Sequence, residues 1–272
     1  MISKGFTHSG MFHADDVFAT ALLRILNPEI DVIRGNIVPD DFDGIVYDIG
    51  MGEYDHHQID KKCRENGVPY AAFGLLWRQF GNLVLTEDED VEAFDESFVQ
   101  PIDLSDNTGK YEGMSLIISD FNMTWEENSD NNDENFWRAV DFAQIILQNR
   151  FRQIIANSNA KQKVRRLVDT QEGCVLEMSE FLPWKEVVCP TDILYVIFPS
   201  ARGGYMIQSV PKSTDDVILK KEFPESWRGK SHEQLRKITG IDSFNFCHMS
   251  GFICATDTLE DARKVALLAY EL

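Results

Sequence analysis

No stretch of this chain approaches the ~18 to 20 consecutive apolar residues that cross a bilayer, so its 272 residues are expected to form soluble domains. The first sixteen residues lack the basic start and apolar core of a secretory signal and are too acidic for a transit peptide, so no export is expected. Cysteine is sparse. Cys63, Cys174, Cys189, Cys247 and Cys254 are scattered, odd in number and never spaced C-x-x-C, which argues against a disulfide framework or a thiolate zinc site and favours a reducing cytoplasm. Positive charge is scarce as well. Against 45 Asp and Glu stand 26 Lys and Arg, a formal net charge of −19, which argues against broad attraction to a nucleic-acid backbone or an anionic membrane. Charge is uneven along the chain: Lys110 is the only base between Glu87 and Glu134, whereas Arg150, Arg152, Lys161, Lys163, Arg165 and Arg166 fall in a stretch without acids. Both read as solvated helix faces. There is no internal repeat, no low-complexity tract and no H-E-x-x-H helix.

What is present is an α/β texture followed by an α+β one. Ile2 to Thr7 predicts a strand, Asp16 to Leu26 a helix with apolar residues at helical spacing, Ile30 to Arg34 a second strand, and Gly44 to Tyr47 a third. That order predicts an N-terminal α/β domain with a mainly parallel sheet flanked by helices. Ala71–Phe80 and Val91–Leu104 are further predicted helices, with Phe94, Phe98 and Ile102 spaced for a core face. After the polar segment Asn128–Asp133, apolar residues from Phe136 to Leu167 predict a long linking helix broken near Asn157-Ser158-Asn159. From Gly173 the runs become short. Cys174–Leu176, Ile193–Phe198 and Tyr205–Val210 read as strands, the last two about the Gly203-Gly204 turn, followed by a short helix at Leu235 and Ile238, a strand at Phe252–Ala255 and a helix at Leu259–Leu272. Two domains are expected, 1–168 and a smaller α+β domain, 169–272.

Four of the six histidines, His8, His13, His56 and His57, lie in the first 57 residues among aspartates and glycines. Asp48 closes the third predicted strand, Gly50 and Gly52 turn the chain, and Asp55-His56-His57 return donors toward it. Asp15 and Asp16 open the first helix, where they serve as ligands or as helix caps. Asp103 and Asp106, three apart, sit near the end of another helix. Oxygen and imidazole donors without thiolate suit Mn²⁺ best, with Mg²⁺, Co²⁺, Fe²⁺ and Zn²⁺ also compatible.

The wording of these segments resembles the DHH superfamily of metal-dependent phosphoesterases and, more closely, the Myg (melanocyte-proliferating-gene) family. The matching segments are Thr7-His8-Ser9-Gly10-Met11-Phe12-His13-Ala14-Asp15-Asp16, Asp55-His56-His57-Gln58, Phe73-Gly74-Leu75-Leu76-Trp77, Asp103-Leu104-Ser105-Asp106-Asn107, Pro224-Glu225-Ser226-Trp227-Arg228-Gly229 and His248-Met249-Ser250-Gly251-Phe252-Ile253. The resemblance implies a DHH-type catalytic domain binding two divalent ions. It implies His8, His13, Asp15, Asp48, His56 and either Asp106 or Asp103 as metal ligands, Asp106 being preferred because Ser105-Asp106-Asn107-Thr108 reads more like the superfamily's segment. His13 stands where the superfamily usually has an aspartate. Asp48 would bridge the ions, His57 would face the substrate, and Asp55 would orient a histidine. Arg228, as a phosphate clamp, and His248 are implied substrate contacts of the second domain, although an ion pair for Arg228 and a core place for Trp227 explain those residues equally well. The implied activity is cleavage of phosphodiester bonds, as an exonuclease on RNA or short oligonucleotides. Hydrolysis of a small phosphoester or phosphoanhydride, and a non-enzymatic metal-containing binding protein, are the alternatives.

Overall fold

The computed structural model describes residues 2–127 and 132–272, so residues 128–131 of the predicted polar segment lie outside the described residues. The chain divides into two compact units, residues 1–155 and 156–272. In the first, β1 (Lys4–His8), α1 (Ala14–Leu26), β2 (Asp31–Gly35) and β3 (Ile45–Val46) build a parallel sheet of order β2-β1-β3. Parallel pairing demands coverage on both faces. Accordingly α1 is buried from Ala14 to Leu23, and Phe18 meets Phe73 and Phe98 with ring centroids 5.7 and 5.3 Å away. Those partners come from α2 (Ala72–Phe80) and from a helical stretch made of α3 (Asp88–Phe94), a π-turn (Asp95–Val99) and α4 (Gln100–Thr108). Pro101 opens α4, where its missing N–H is harmless, and Gly109 at φ 67° ends it.

Helix α4 therefore runs four residues beyond the predicted end at Leu104, carrying Asp103 and Asp106 on one helix. Helix α5 (Met114–Ser119) had no signal in the sequence, since Leu116 and Ile117 are half exposed and give no clear apolar face. Helix α6 (Asn132–Asp169) is unbroken, correcting the predicted interruption at Asn157-Ser158-Asn159. Asn and Ser each cost only ~0.7 kcal/mol or less in a helix, and burial of Ala160 and Val164 just beyond them outweighs that. Among the described residues no helix is long and apolar enough to cross a membrane.

The second unit holds β4 (Val175–Glu177), α7 (Lys185–Val188), β5 (Tyr195–Pro199), β6 (Tyr205–Ser209), α8 (His232–Thr239), β7 (Phe244–Cys247), β8 (Ile253–Thr256) and α9 (Leu259–Glu271). Its sheet has the order β4-β5-β6-β8-β7, parallel only between β4 and β5. Alternation along the strands sends Tyr195, Ile207, Cys254 and Phe244 into a core with Ala262, Val265, Ala266 and Ala269 of α9. Trp227 is buried there against Phe244 and Phe223. On the opposite face Leu176, Val196 and Phe198 pack with Val164, Trp184 and Val188.

Trp77 is the largest buried side chain of the first unit, with Phe94 and Phe151 at 4.6 and 5.7 Å. Trp77→Ala is expected to cost ~3 to 5 kcal/mol of stability, read by urea denaturation. A loss under ~1 kcal/mol would show that the aromatic cluster is not a main support of this unit.

Candidate metal centre

Adjacent parallel strands end at the same edge of a sheet, so β1 and β3 deliver His8 and the segment beginning at Asp48 side by side. His8 Nε2 lies 3.2 Å from Asp48 Oδ2 and 3.4 Å from Asp16 Oδ2, while Nδ1 faces Ser9 O at 3.2 Å. The loop between His8 and α1 is fixed by Asn122, which accepts from Phe12 N–H and donates to Phe12 O. Asp48 is held at φ 56°, a left-handed conformation uncommon outside glycine. Strain of that sort is concentrated at functional sites.

Asp15 points from α1 to the start of α2, where Ala72 and Phe73 N–H donate to its two oxygens at 2.8 and 2.7 Å. These are unpaired first-turn amides of a helix, a natural seat for a carboxylate. Gly74 N–H, the next one, donates to Asp103 Oδ1 at 3.0 Å, and Asp103 Oδ2 lies 2.8 Å from Arg64 Nη2. A Cβ at Gly74 would stand 1.9 Å from Asp103 Oδ2, which is why this helix turn carries glycine. Asp106, one turn further on, reaches the other way: Oδ2 is 2.9 Å from His56 Nε2 and Oδ1 3.5 Å from His13 Nδ1. The structure thus brings Asp106 into the cluster and seats Asp103 behind it, on Arg64.

His56 Nδ1 faces Asp48 Oδ1 at 3.4 Å and Asp15 Oδ2 at 3.9 Å. Two donor groups result, His8 with His13 and Asp48, and Asp15 with His56 and Asp106, each able to close on one ion. Asp48 adjoins both. It also groups with Asp55, His56 and His57. Asp55 accepts from Met51 N–H at 2.6 Å and His57 N–H at 3.1 Å and lies 2.7 Å from His57 Nδ1. The His56 and His57 rings stack at 4.2 Å. His57 is 59% exposed in its side chain and His13 39%, whereas His56 is only 7% exposed, so the cluster opens to solvent on the His57 and His13 side.

Electrostatics calls for a cation. Burial, then repulsion from Asp48, Asp106 and Asp103, pushes the Asp15 carboxyl well above its ordinary range. Burial likewise pushes Asp16 up to about 7 against the pull of His8. Burial disfavours a charged His8, yet the Asp48 and Asp16 carboxylates raise it to about 9. Asp106 is lowered instead, its burial outweighed by His56. Three buried atoms in the cluster have no hydrogen-bond partner: Asp16 Oδ2, Asp48 Oδ1 and His56 Nδ1. Unpaired buried lone pairs of mixed oxygen and nitrogen type fit a divalent ion. Asp16 is the site residue that the sequence left open between ligand and cap and that the expected ligand set omitted. It does cap, since Oδ1 accepts from His13 N–H at 2.8 Å; only the fold turns its second oxygen to His8.

Arg228 and His248 lie in the second unit. The Arg228 guanidinium donates to Phe223 O, at 2.9 Å from Nε and 2.7 Å from Nη2, and to Glu222 at 2.7 Å. It lies over Gly251, whose missing Cβ leaves room for it. His248 Nδ1 is 2.7 Å from Ser250 Oγ.

A family model named MYG1_exonuc, described as Uncharacterised protein family (UPF0160), matches residues 5–270. Among curated proteins the chain is similar to a "MYG1 protein" of Dictyostelium discoideum, 26% identical over 96% of this chain and 94% of the relative. It is also similar to a "MYG1 exonuclease" of Homo sapiens, 29% identical over 96% and 84%, and one of Rattus norvegicus, 30% identical over 96% and 82%. No solved structure matches it.

Divalent ions are expected to stabilise the fold in a pH-dependent way. Asp15, Asp16 and His8 are raised relative to the unfolded chain, so the stability they contribute is present at low pH and is lost as pH rises, for Asp16 toward about 7 and for His8 toward about 9. A bound ion replaces those protons. The rise in melting temperature on adding Mn²⁺ to chelator-treated protein should therefore be larger at pH 8 than at pH 5.5, and should shrink in Asp48→Asn. An equal rise at both pH values, or in both proteins, would contradict the site.

Proposed function

This chain belongs to the MYG1 family, and from that premise we propose that it is a metal-dependent phosphohydrolase of the DHH type, cleaving phosphodiester bonds of RNA or short oligonucleotides from an end. The observation that carries the proposal is the pair of donor groups meeting at Asp48. The names of the human and rat relatives supply the exonuclease activity. His8, His13 and Asp48 would hold one ion, and Asp15, His56 and Asp106 with Asp48 a second, Mn²⁺ being the best match to this donor set. Bound there, divalent ions supply Lewis acidity toward a phosphoryl oxygen and a water.

The chain's own groups do the rest. In the tautomer that donates from Nδ1 to Asp55, His57 keeps Nε2 for a proton transfer at a phosphoester oxygen. Stacking on His56 fixes its ring, and its exposure puts it where substrate arrives. Asp55, lowered despite burial by the His57 and Met51 hydrogen bonds, stays anionic and sets that tautomer. Asp103 and Arg64 anchor the α2 terminus that aims Asp15, so their role is positional. Arg228 is proposed as a phosphate clamp and His248 as a second substrate contact.

Charge favours a short substrate. The first unit has 29 Asp and Glu against 11 Lys and Arg, so a long polyanion would be repelled around the site. A small phosphoester or phosphoanhydride is the alternative that the same acidity supports. The five free cysteines support a reducing setting, and the cytoplasm is proposed.

With Mn²⁺, an end-labelled single-stranded RNA should be shortened stepwise. Asp48→Ala and His56→Ala should lower the rate at least ~100-fold, and His57→Ala should lower kcat by ~100- to 10,000-fold with bound metal retained. Phosphate release from small esters without shortening of RNA would move the assignment to the alternative. Bound metal with no turnover on either would leave a metal-containing binding protein.

A further inference from the structure

One face of the second unit's sheet carries a row of apolar side chains that its core covers only in part, burying Phe198 while leaving Phe246 exposed. Phe198 of β5 is the register partner of Met206 on β6, Met206 of Ala255 on β8, and Ala255 of Phe246 on β7. Cross-strand partners project to the same side of a sheet, so these four form one rung across four strands. Phe246 is 42% exposed, although its neighbours Phe244 and Cys247 are buried in the opposite face. Phe181, 62% exposed, stands edge-on to Phe198 at 5.1 Å. His248 follows two residues after Phe246, with rings 6.2 Å apart, and meets Phe252 at 4.7 Å.

The rung lines a cavity of about 600 Å³ to which no carboxylate contributes. Arg202, at the tip of the β5–β6 hairpin, is on its rim, and its guanidinium makes no ion pair or hydrogen bond among the described residues. The charge around it differs from that of the first unit: residues 156–272 hold fifteen Lys and Arg against sixteen Asp and Glu. Nearly all of the chain's net negative charge therefore lies elsewhere. Two exposed aromatic rings, one on the sheet and one beside it, a free guanidinium and a locally neutral unit suit single-stranded nucleic acid, because bases stack on rings while a phosphate meets arginine. A purely apolar partner would leave Arg202 unmatched.

We propose that the uncovered part of this face, around Phe246 and Phe181, is a base-stacking platform for single-stranded RNA, with these two rings stacking bases and Arg202 contacting a phosphate. The proposal rests on the oligonucleotide reading above and adds where the bases are held.

The test is fluorescence anisotropy with full-length protein and two probes of one length, a hydrolysis-resistant phosphorothioate oligoadenylate and its abasic counterpart. The wild type should prefer the adenine probe at least ~5-fold. Phe181→Ala with Phe246→Ala should weaken the adenine probe by roughly 5- to 150-fold and leave the abasic probe unchanged. Phe181→Leu alone, at a mostly exposed position where folding is little affected, should lose part of the preference while keeping the melting temperature. Equal binding of both probes, unchanged affinity in the variants, or a dimer in sedimentation that Phe181→Ala dissolves would each overturn the platform. Stepwise shortening of an unmodified end-labelled RNA by the wild-type preparation with Mn²⁺ reports separately on the oligonucleotide reading.

Discussion

Concentrating carboxylates inside a hydrophobic shell is the constraint to which the first unit's architecture answers. Asp15, Asp16, Asp48, Asp55 and Asp103 are all buried, and Asp106 is nearly so. Without compensation such a set is costly, because burial and mutual repulsion disfavour each charge. The fold compensates in two ways. The amides of α2 take Asp15 and Asp103, and Arg64 pairs with Asp103 and Asp95. Imidazoles meet the remainder: of the three atoms still without a hydrogen bond, Asp48 Oδ1 and His56 Nδ1 lie 3.4 Å apart and Asp16 Oδ2 lies 3.4 Å from His8 Nε2. That unmet demand is what a divalent ion would satisfy.

Precision in this arrangement comes from helices rather than from the loop that bears most of the donors. The π-turn before α4 sets the rotation that sends Asp106 to His56 and Asp103 to α2. The loop from Asp48 to Gln58 is stiffened by its own contacts: Met51 N–H on Asp55, and the Gln58 amide on Met51 and Gly52 carbonyls. The second unit contributes a different kind of surface, open aromatic rings on a sheet close to charge neutrality. A proposed catalytic unit rich in acids and a near-neutral unit with the proposed stacking rings would suit a short, single-stranded substrate.

Much of this was legible in the chain. Four histidines crowded among aspartates in the first 57 residues pointed to a metal centre, the family resemblance supplied its expected ligand set, and six segments in order identified the family. The α/β order and the parallel sheet were readable from the apolar runs. Other features depend on three dimensions. A spacing of three could not say which of Asp103 and Asp106 turns inward, since that follows from a π-turn with no sequence signal. Asp16 satisfies a capping rule with one oxygen, which hid the other. The unbroken α6 went unseen because weak local penalties at Asn157-Ser158-Asn159 were overruled by tertiary burial at Ala160 and Val164. The aromatic rung joins residues from four strands whose pairing partners are far apart in sequence.

The most direct measurement is anomalous diffraction from crystals grown with Mn²⁺. Two peaks are expected, one among His8, His13 and Asp48 and one among Asp15, His56 and Asp106, with Asp48 touching both. A single ion held only by Asp55 and His57, or no ordered ion at the cluster, would contradict a two-ion hydrolytic centre.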